Sequence, residues 1–182
     1  MGTKGRDVPA LERSLIMDVL VVHASKHGAT IGIAQTIASR LVDRGHAVTI
    51  FDAEAADDLD RAEISRRNAV VIGSAIYAGH WLKPAKRFVD HHADDLAGTP
   101  VWLFSSGPLG DPPKPEEEPV EVRLLEEQLD ARDHRVFSGA LDRNDLNVAE
   151  RAVMKVVKAP YGDFRDEDAA RSWADEIADA LE

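Results

Sequence analysis

The chain contains no cysteine among its 182 residues, which excludes disulfides, thiolate chemistry and cysteine-ligated metal centres. Long apolar runs are missing as well, since none approaches the roughly 20 residues of a membrane-spanning helix. Residues 1–16 carry charges throughout and lack the apolar segment of a signal peptide. We therefore expect a cytoplasmic protein.

Basic residues are in deficit. The chain has 22 Lys and Arg against 33 Asp and Glu, a formal charge of −11. A nucleic-acid partner is disfavoured, because phosphate backbones select Lys- and Arg-rich faces. A hydrophobic content of 44% suffices for one core in a chain of this length. We expect one domain over residues 17–182, preceded by a tail over residues 1–16.

Apolar runs of strand length alternate with helical patterns along the chain. The predicted strands are 19–22, 47–51, 69–73, 100–105 and 136–141. The predicted helices are 33–41, 53–67, 82–92, 120–131, 148–157 and 167–181. This alternation predicts an α/β fold, a doubly wound five-stranded parallel sheet with right-handed crossovers. The strand order 2-1-3-4-5 suits it, with ligands at the carboxyl ends of the strands.

The hexad Ser25-Lys26-His27-Gly28-Ala29-Thr30 lies between the first strand and the first helix. Such a turn points backbone N–H groups at one spot, and the helix dipole adds positive charge there, so it suits a phosphate. Hydroxyl groups and the Lys26 charge add to this. The spacing matches neither the Walker A loop nor the dinucleotide fingerprint. The alternative is a plain helix start with Thr30 as N-cap.

Two further segments are predicted to meet this hexad at the same edge of the sheet. Residues 73–81 follow the third strand and residues 105–110 follow the fourth, and both segments are rich in small residues. Small residues let the backbone approach a flat ring and leave N–H and C=O groups for its polar edge. Tyr77 is placed to lie on a ring face. The three segments together predict a phosphorylated, ring-bearing cofactor.

These segments resemble the flavodoxin superfamily, and most of all the flavodoxin-like protoporphyrinogen dehydrogenases, which pass electrons to a quinone. The resemblance is carried by residues 21–30 with the pattern [ST]-x-x-G-x-T, and by V-V-I-G-S-A-I-Y-A-G-H at 70–80. It is also carried by S-G-A-L at 138–141 and E-R-x-V-M-K-x-V at 150–157. The chain departs from the usual flavodoxin pattern at His27, where a Thr is common.

The resemblance implies FMN as the cofactor. It assigns the phosphate to Ser25, Lys26, His27, Gly28, Ala29 and Thr30. It assigns the isoalloxazine ring to Ser74, Ala75, Ile76, Tyr77 and Gly79, with Ser105, Ser106, Gly107 and Gly110 on the other side. No residue stands out in the sequence as a catalyst, which fits a reaction conducted by the flavin. His80 is the candidate for a hydrogen bond to flavin or substrate, with a capping or surface role as the alternative, and no metal site is expected.

Three functions fit these observations. The first is an FMN-dependent enzyme that passes electrons from a reduced substrate, by resemblance protoporphyrinogen IX, to a quinone. The second is a flavodoxin-type electron carrier whose negative charge steers it to basic partners. The third is a flavodoxin-fold interaction domain without FMN. An acidic, Pro-rich segment at 111–119 would repel porphyrin propionates if it lay beside the flavin; the alternative is a solvated loop.

One helix carries a basic stripe. Arg151, Lys155 and Lys158 are spaced four and three residues apart, with apolar residues between them. A basic amphipathic helix of this kind can make weak contact with a membrane surface. The alternative is a helix packed on the sheet.

Overall fold

The structure is a computed structural model that describes residues 16–77, 79–107, 109, 120–157 and 160–182. The acidic segment 111–119 and the predicted tail up to residue 15 lie outside the described residues, as do Gly110 and Lys158. None of the helices in the described ranges is long and apolar enough to cross a membrane.

The centre of the fold is a parallel sheet. The strands are β1 (Asp18–Ala24), β2 (Ala47–Asp52), β3 (Ala69–Tyr77), β4 (His80–Trp81), β5 (Val101–Ser106), β6 (Asp133–Phe137), β7 (Ala140–Leu141) and β8 (Gly162–Asp163). The five long strands run parallel in the order β2-β1-β3-β5-β6. The predicted α/β fold and strand order are confirmed.

Six α-helices lie in the described ranges: α1 (Ala29–Asp43), α2 (Arg61–Ser65), α3 (Lys83–Leu96), α4 (Val120–Leu129), α5 (Val148–Val157) and α6 (Glu167–Leu181). Helices α1 and α6 pack on one face of the sheet, while α2, α3 and α4 pack on the other. The central strands are buried on both faces, so alternate residues of β1 enter different cores, Val19 and Val21 in one and Leu20 and Val22 in the other. This explains why their sequences are continuously apolar.

The predicted fifth strand, 136–141, is wrong in its bounds. Strand β6 is Asp133–Phe137, at the edge of the sheet, where the charged Arg135 lies exposed beside Asp133 and Glu176. Ala140 and Leu141 form the separate strand β7, which pairs antiparallel with β8. An edge strand tolerates charged residues on its open face, and these concealed its start in the sequence.

Two other elements differ from the prediction. Strand β3 continues past Gly73 to Tyr77 and then turns back through Gly79, which has φ +79°, to pair antiparallel with β4. The predicted helix 53–67 is a 3₁₀ turn (Ala53–Asp58) followed by α2. The chain is interrupted there because Asp60 leaves helical geometry to cap α2, accepting a hydrogen bond from Ala62 N.

Candidate functional site

The β1–α1 loop (residues 25–30) turns the chain from the sheet into α1. Gly28 occupies the N-cap position with φ +83°, a left-handed conformation that a side chain disfavours. Its backbone N–H donates to Ser25 Oγ at 3.1 Å. Thr30 therefore lies within the first turn of α1, and the alternative that it is the N-cap is wrong.

Two buried side-chain atoms of the loop itself have no hydrogen-bond partner among the described residues: Thr30 Oγ1 and His27 Nε2, the second of which lies 3.7 Å from Glu150 Oε1. A buried polar group left unpaired costs about 1–3 kcal/mol. Phosphate oxygens would accept hydrogen bonds from both atoms, and from the N–H groups at the start of α1. The loop therefore fits a phosphate, as the sequence predicts.

A cavity of about 90 Å³ joins this loop to the carboxyl ends of β3 and β5. It brings together ten of the residues that the resemblance assigned to FMN. They are Ser25, Lys26, His27, Ala29, Thr30, Ala75, Ile76, Tyr77, Ser106 and Gly107. The ends of β3 and β5 approach closely here, since a Cβ on Gly107 would lie 2.9 Å from Ile76 Cβ.

Ser74 and Ser105 line no part of this cavity and act inside the scaffold. Both are fully buried. Ser74 Oγ accepts from Leu82 N at 3.0 Å and donates to the Ala75 carbonyl oxygen at 2.9 Å. Ser105 Oγ accepts from Trp81 Nε1 at 2.8 Å and lies 2.9 Å from His134 Nε2. Trp81 is 2% exposed and belongs to the core.

His80 and Gly79 belong to the β3–β4 hairpin, outside the cavity lining. His80 is exposed, and its Nδ1 lies 3.1 Å from Glu121 Oε2. Glu121 Oε1 also accepts from Trp81 N at 2.6 Å, and its Oε2 from Lys86 Nζ at 3.3 Å. Burial raises the pKa of Glu121, but the hydrogen bonds outweigh it and hold this pKa below its ordinary value. The carboxylate thus fixes the hairpin that follows Tyr77.

The described residues of the segment 138–165, which we call the insert, supply a wall of the site that the sequence analysis did not assign. Gly139, Ala140 and Leu141 line the cavity together with Leu82 and Leu109. A groove of about 610 Å³ adjoins the cavity and shares His27, Ala29, Ala140 and Leu141 with it. The groove is further lined by Gly28, Asp142, Arg143, Asp145, Tyr161, Gly162, Asp163 and Arg165. Cavity and groove form one continuous site.

An ion pair links the insert to the β1–α1 loop. Lys26 Nζ lies 2.5 Å from Glu150 Oε1 and 4.3 Å from the centroid of the Tyr77 ring. The hydrogen bond with Glu150 raises the pKa of Lys26, and the same bond lowers the pKa of Glu150. Both groups are therefore charged at neutral pH.

A sequence model described as a flavodoxin domain matches residues 20–168. The chain belongs to the flavodoxin domain family. This family indicates FMN as the cofactor, in agreement with the sequence analysis. A search of curated proteins finds no match to the chain.

Solved structures of a flavodoxin, of an oxidoreductase and of a flavodiiron core share the fold. A flavodoxin from the domain Archaea is 16% identical with a TM-score of 0.63, over 91% of this chain and 99% of that one. Rubredoxin oxygen:oxidoreductase from Desulfovibrio gigas is 16% identical with a TM-score of 0.62, over 90% of this chain and 36% of that one. The Flv1 flavodiiron core from Synechocystis sp. PCC6803 is 19% identical with a TM-score of 0.61, over 91% and 36% of the two chains.

Tyr77→Ala is expected to weaken FMN binding about three- to tenfold, because aromatic stacking contributes about 0.5–1.5 kcal/mol beyond area burial. Tyr77→Phe keeps the ring and serves as the matched control. Quenching of flavin fluorescence on titration measures both dissociation constants. Equal affinity of the Ala and Phe variants would show that Tyr77 does not contact the ring.

Proposed function

We propose that the chain is an FMN-dependent oxidoreductase that passes electrons from a reduced small-molecule substrate to a quinone. The resemblance suggests protoporphyrinogen IX as the electron donor. The observation that carries the proposal is the composition of the cavity. Tyr77 is the one Phe, Tyr or Trp residue of the described cavity lining, with Tyr161 in the adjoining groove, while Gly107, Leu109 and Leu141 contribute small or aliphatic groups. Such a wall suits an apolar, planar reactant.

In this proposal the residues of the chain bind FMN and orient it. Thr30, His27 and the N–H groups at the start of α1 hold the phosphate, and Tyr77 contacts the ring. Ala140 and Leu141 of the insert add an apolar wall to the site. FMN, when bound, supplies the two-electron chemistry, so no acid–base pair of the protein is required.

An electron carrier that serves basic protein partners is the second candidate. A formal charge of −11 favours it, because a strongly negative protein is steered to positively charged partners. The two functions differ in what reoxidises the protein. A quinone-linked enzyme reacts with a small neutral molecule, whereas a carrier reacts with a charged protein surface.

Anaerobic stopped-flow absorbance distinguishes the two. The photoreduced protein is mixed with a water-soluble menaquinone analogue or with a basic redox protein, at low and at high salt. We expect rapid reoxidation by the quinone with a rate independent of salt. Slow reoxidation by the quinone, together with a fast, salt-sensitive reaction with the basic protein, would favour the carrier. If the purified protein binds no flavin, both redox functions are excluded and only the interaction domain remains.

The proposal includes weak contact of α5 with a membrane surface, where quinones reside. Val148 and Val156 of this helix are 83% and 81% exposed, and Lys155 is exposed beside them. Arg151 instead binds another part of the insert, with its Nε donating to the Arg143 carbonyl oxygen at 3.1 Å. The described part of the stripe therefore offers one free cation flanked by apolar groups, enough only for weak attachment.

A further inference from the structure

Lys26 is placed beside the Tyr77 end of the cavity. The resemblance assigns it to the phosphate, but its Nζ lies 4.3 Å from the Tyr77 ring centroid. Ala75, Ile76 and Tyr77, which the resemblance assigns to the ring, line the same cavity as Lys26. A cation at this end of the cavity is positioned to act on the ring.

Glu150 is held in place by the start of α5. Its Oε2 accepts from Asn147 N at 2.9 Å, and its own N–H donates to Asn147 Oδ1 at 2.9 Å. This reciprocal pair is a capping box, which fixes the carboxylate relative to the backbone. The Glu150 side chain is 8% exposed, whereas that of Lys26 is 42% exposed. The long lysine side chain is therefore ordered by the fixed carboxylate.

We propose that Lys26, positioned by Glu150, stabilises the negative charge that the flavin ring acquires on reduction. The inference rests on the proposed function, because it requires bound FMN. The phosphate carries a similar charge before and after reduction, so a cation that acts on it binds both states alike. A fully reduced flavin ring is an anion near neutral pH, and a cation close to the ring therefore favours the reduced state.

The orientation of the ion pair supports this role. Lys26 lines the cavity, whereas Glu150 is absent from its described lining. The positive end of the pair thus lines the cavity, while the carboxylate is held on α5, with its Oε1 3.7 Å from His27 Nε2. Glu150 reduces the net field of Lys26 but keeps its ammonium group at the Tyr77 ring.

Lys26→Met tests the proposal through the midpoint potential of the bound flavin, measured by spectroelectrochemical titration. We expect affinity for reduced FMN to fall about tenfold more than affinity for oxidised FMN. For a two-electron couple this lowers the midpoint potential by about 30 mV. Lys155→Met, which removes the exposed cation on α5, is the matched control and should leave the potential unchanged.

An unchanged potential in Lys26→Met would overturn the proposal, whether or not FMN affinity falls, because a phosphate ligand acts equally on both redox states. That result would leave the proposed function standing. Failure of the unaltered protein to bind flavin would instead remove both.

Glu150→Gln tests the positioning role. The amide oxygen can still accept from Asn147 N, so the capping box is kept while the charge is lost. In the Glu150→Gln protein, we expect Lys26→Met to shift the midpoint potential by less than half of the shift that it causes in the otherwise unaltered protein. Asn147→Ala removes the bond to Asn147 Oδ1, but the backbone N–H of residue 147 still holds the carboxylate, so there the shift should remain. A full shift in the Glu150→Gln background would show that Glu150 does not position Lys26.

Discussion

Trp173→Ala is expected to lower the free energy of unfolding by about 3–5 kcal/mol, the usual cost of truncating a large core aromatic residue. Trp173 is 1% exposed and joins α6 to the sheet. Its ring centroid lies 5.7 Å from that of Phe137 and 6.3 Å from that of Phe104, both edge-on. Its removal leaves a cavity between α6, β5 and β6.

The Trp173 side chain also makes a hydrogen bond, with Nε1 donating to Asp133 Oδ2 at 2.7 Å. Trp173→Phe removes this bond but retains most of the packing, so it should cost clearly less than the Ala variant. Urea unfolding followed by circular dichroism measures both, with an unchanged m-value as the sign of a two-state comparison. A loss below about 1 kcal/mol in the Ala variant would mean that the site collapses around the missing ring.

Thr30→Val is expected to weaken FMN binding by about 1–3 kcal/mol, roughly five- to 150-fold in the dissociation constant. The valine side chain matches threonine in shape, so the fold should be retained. What is lost is a buried hydroxyl that has no hydrogen-bond partner in the described protein and is free to donate to a phosphate oxygen. Flavin fluorescence titration measures the change.

Thr36→Val is the matched control for this prediction. Thr36 lies two turns further along α1, and its Oγ1 donates to the Gly32 carbonyl oxygen at 3.0 Å. The same substitution there should leave FMN affinity unaltered. Titration with riboflavin, which lacks the phosphate, adds a second check, because Thr30→Val should not affect its binding. Equal FMN affinity for Thr30→Val and the unaltered protein would remove the β1–α1 loop from the site.

The sheet could be predicted because its central strands are buried on both faces. Each of β1, β3 and β5 has a continuous apolar run, and such runs alternating with helical patterns define a doubly wound fold. The short strands were missed for the opposite reason. Strands β4, β7 and β8 have two residues each, which is too short for any periodicity.

The site was predictable only where neighbouring residues in the sequence form it. The hexad and the ends of β3 and β5 are local segments, and the fold brings them together. Ser74 and Ser105 resemble ring-lining residues in the sequence. In the structure their hydroxyl oxygens accept hydrogen bonds from Leu82 N and Trp81 Nε1, respectively. The pairing of Lys26 with Glu150 joins residues far apart in the chain, and no spacing rule connects them.

The two ends of the insert lie side by side, because β7 pairs with β8. Ala140 pairs with Asp163 and Leu141 with Gly162, and Phe164 N donates to the Gly139 carbonyl oxygen at 3.1 Å. The chain between β7 and β8 is thus a closed excursion from the sheet, and changing its length alters the closure entropy only slowly. We therefore expect changes in the length or composition of this excursion to alter one wall of the cavity while the sheet and the β1–α1 loop stay the same.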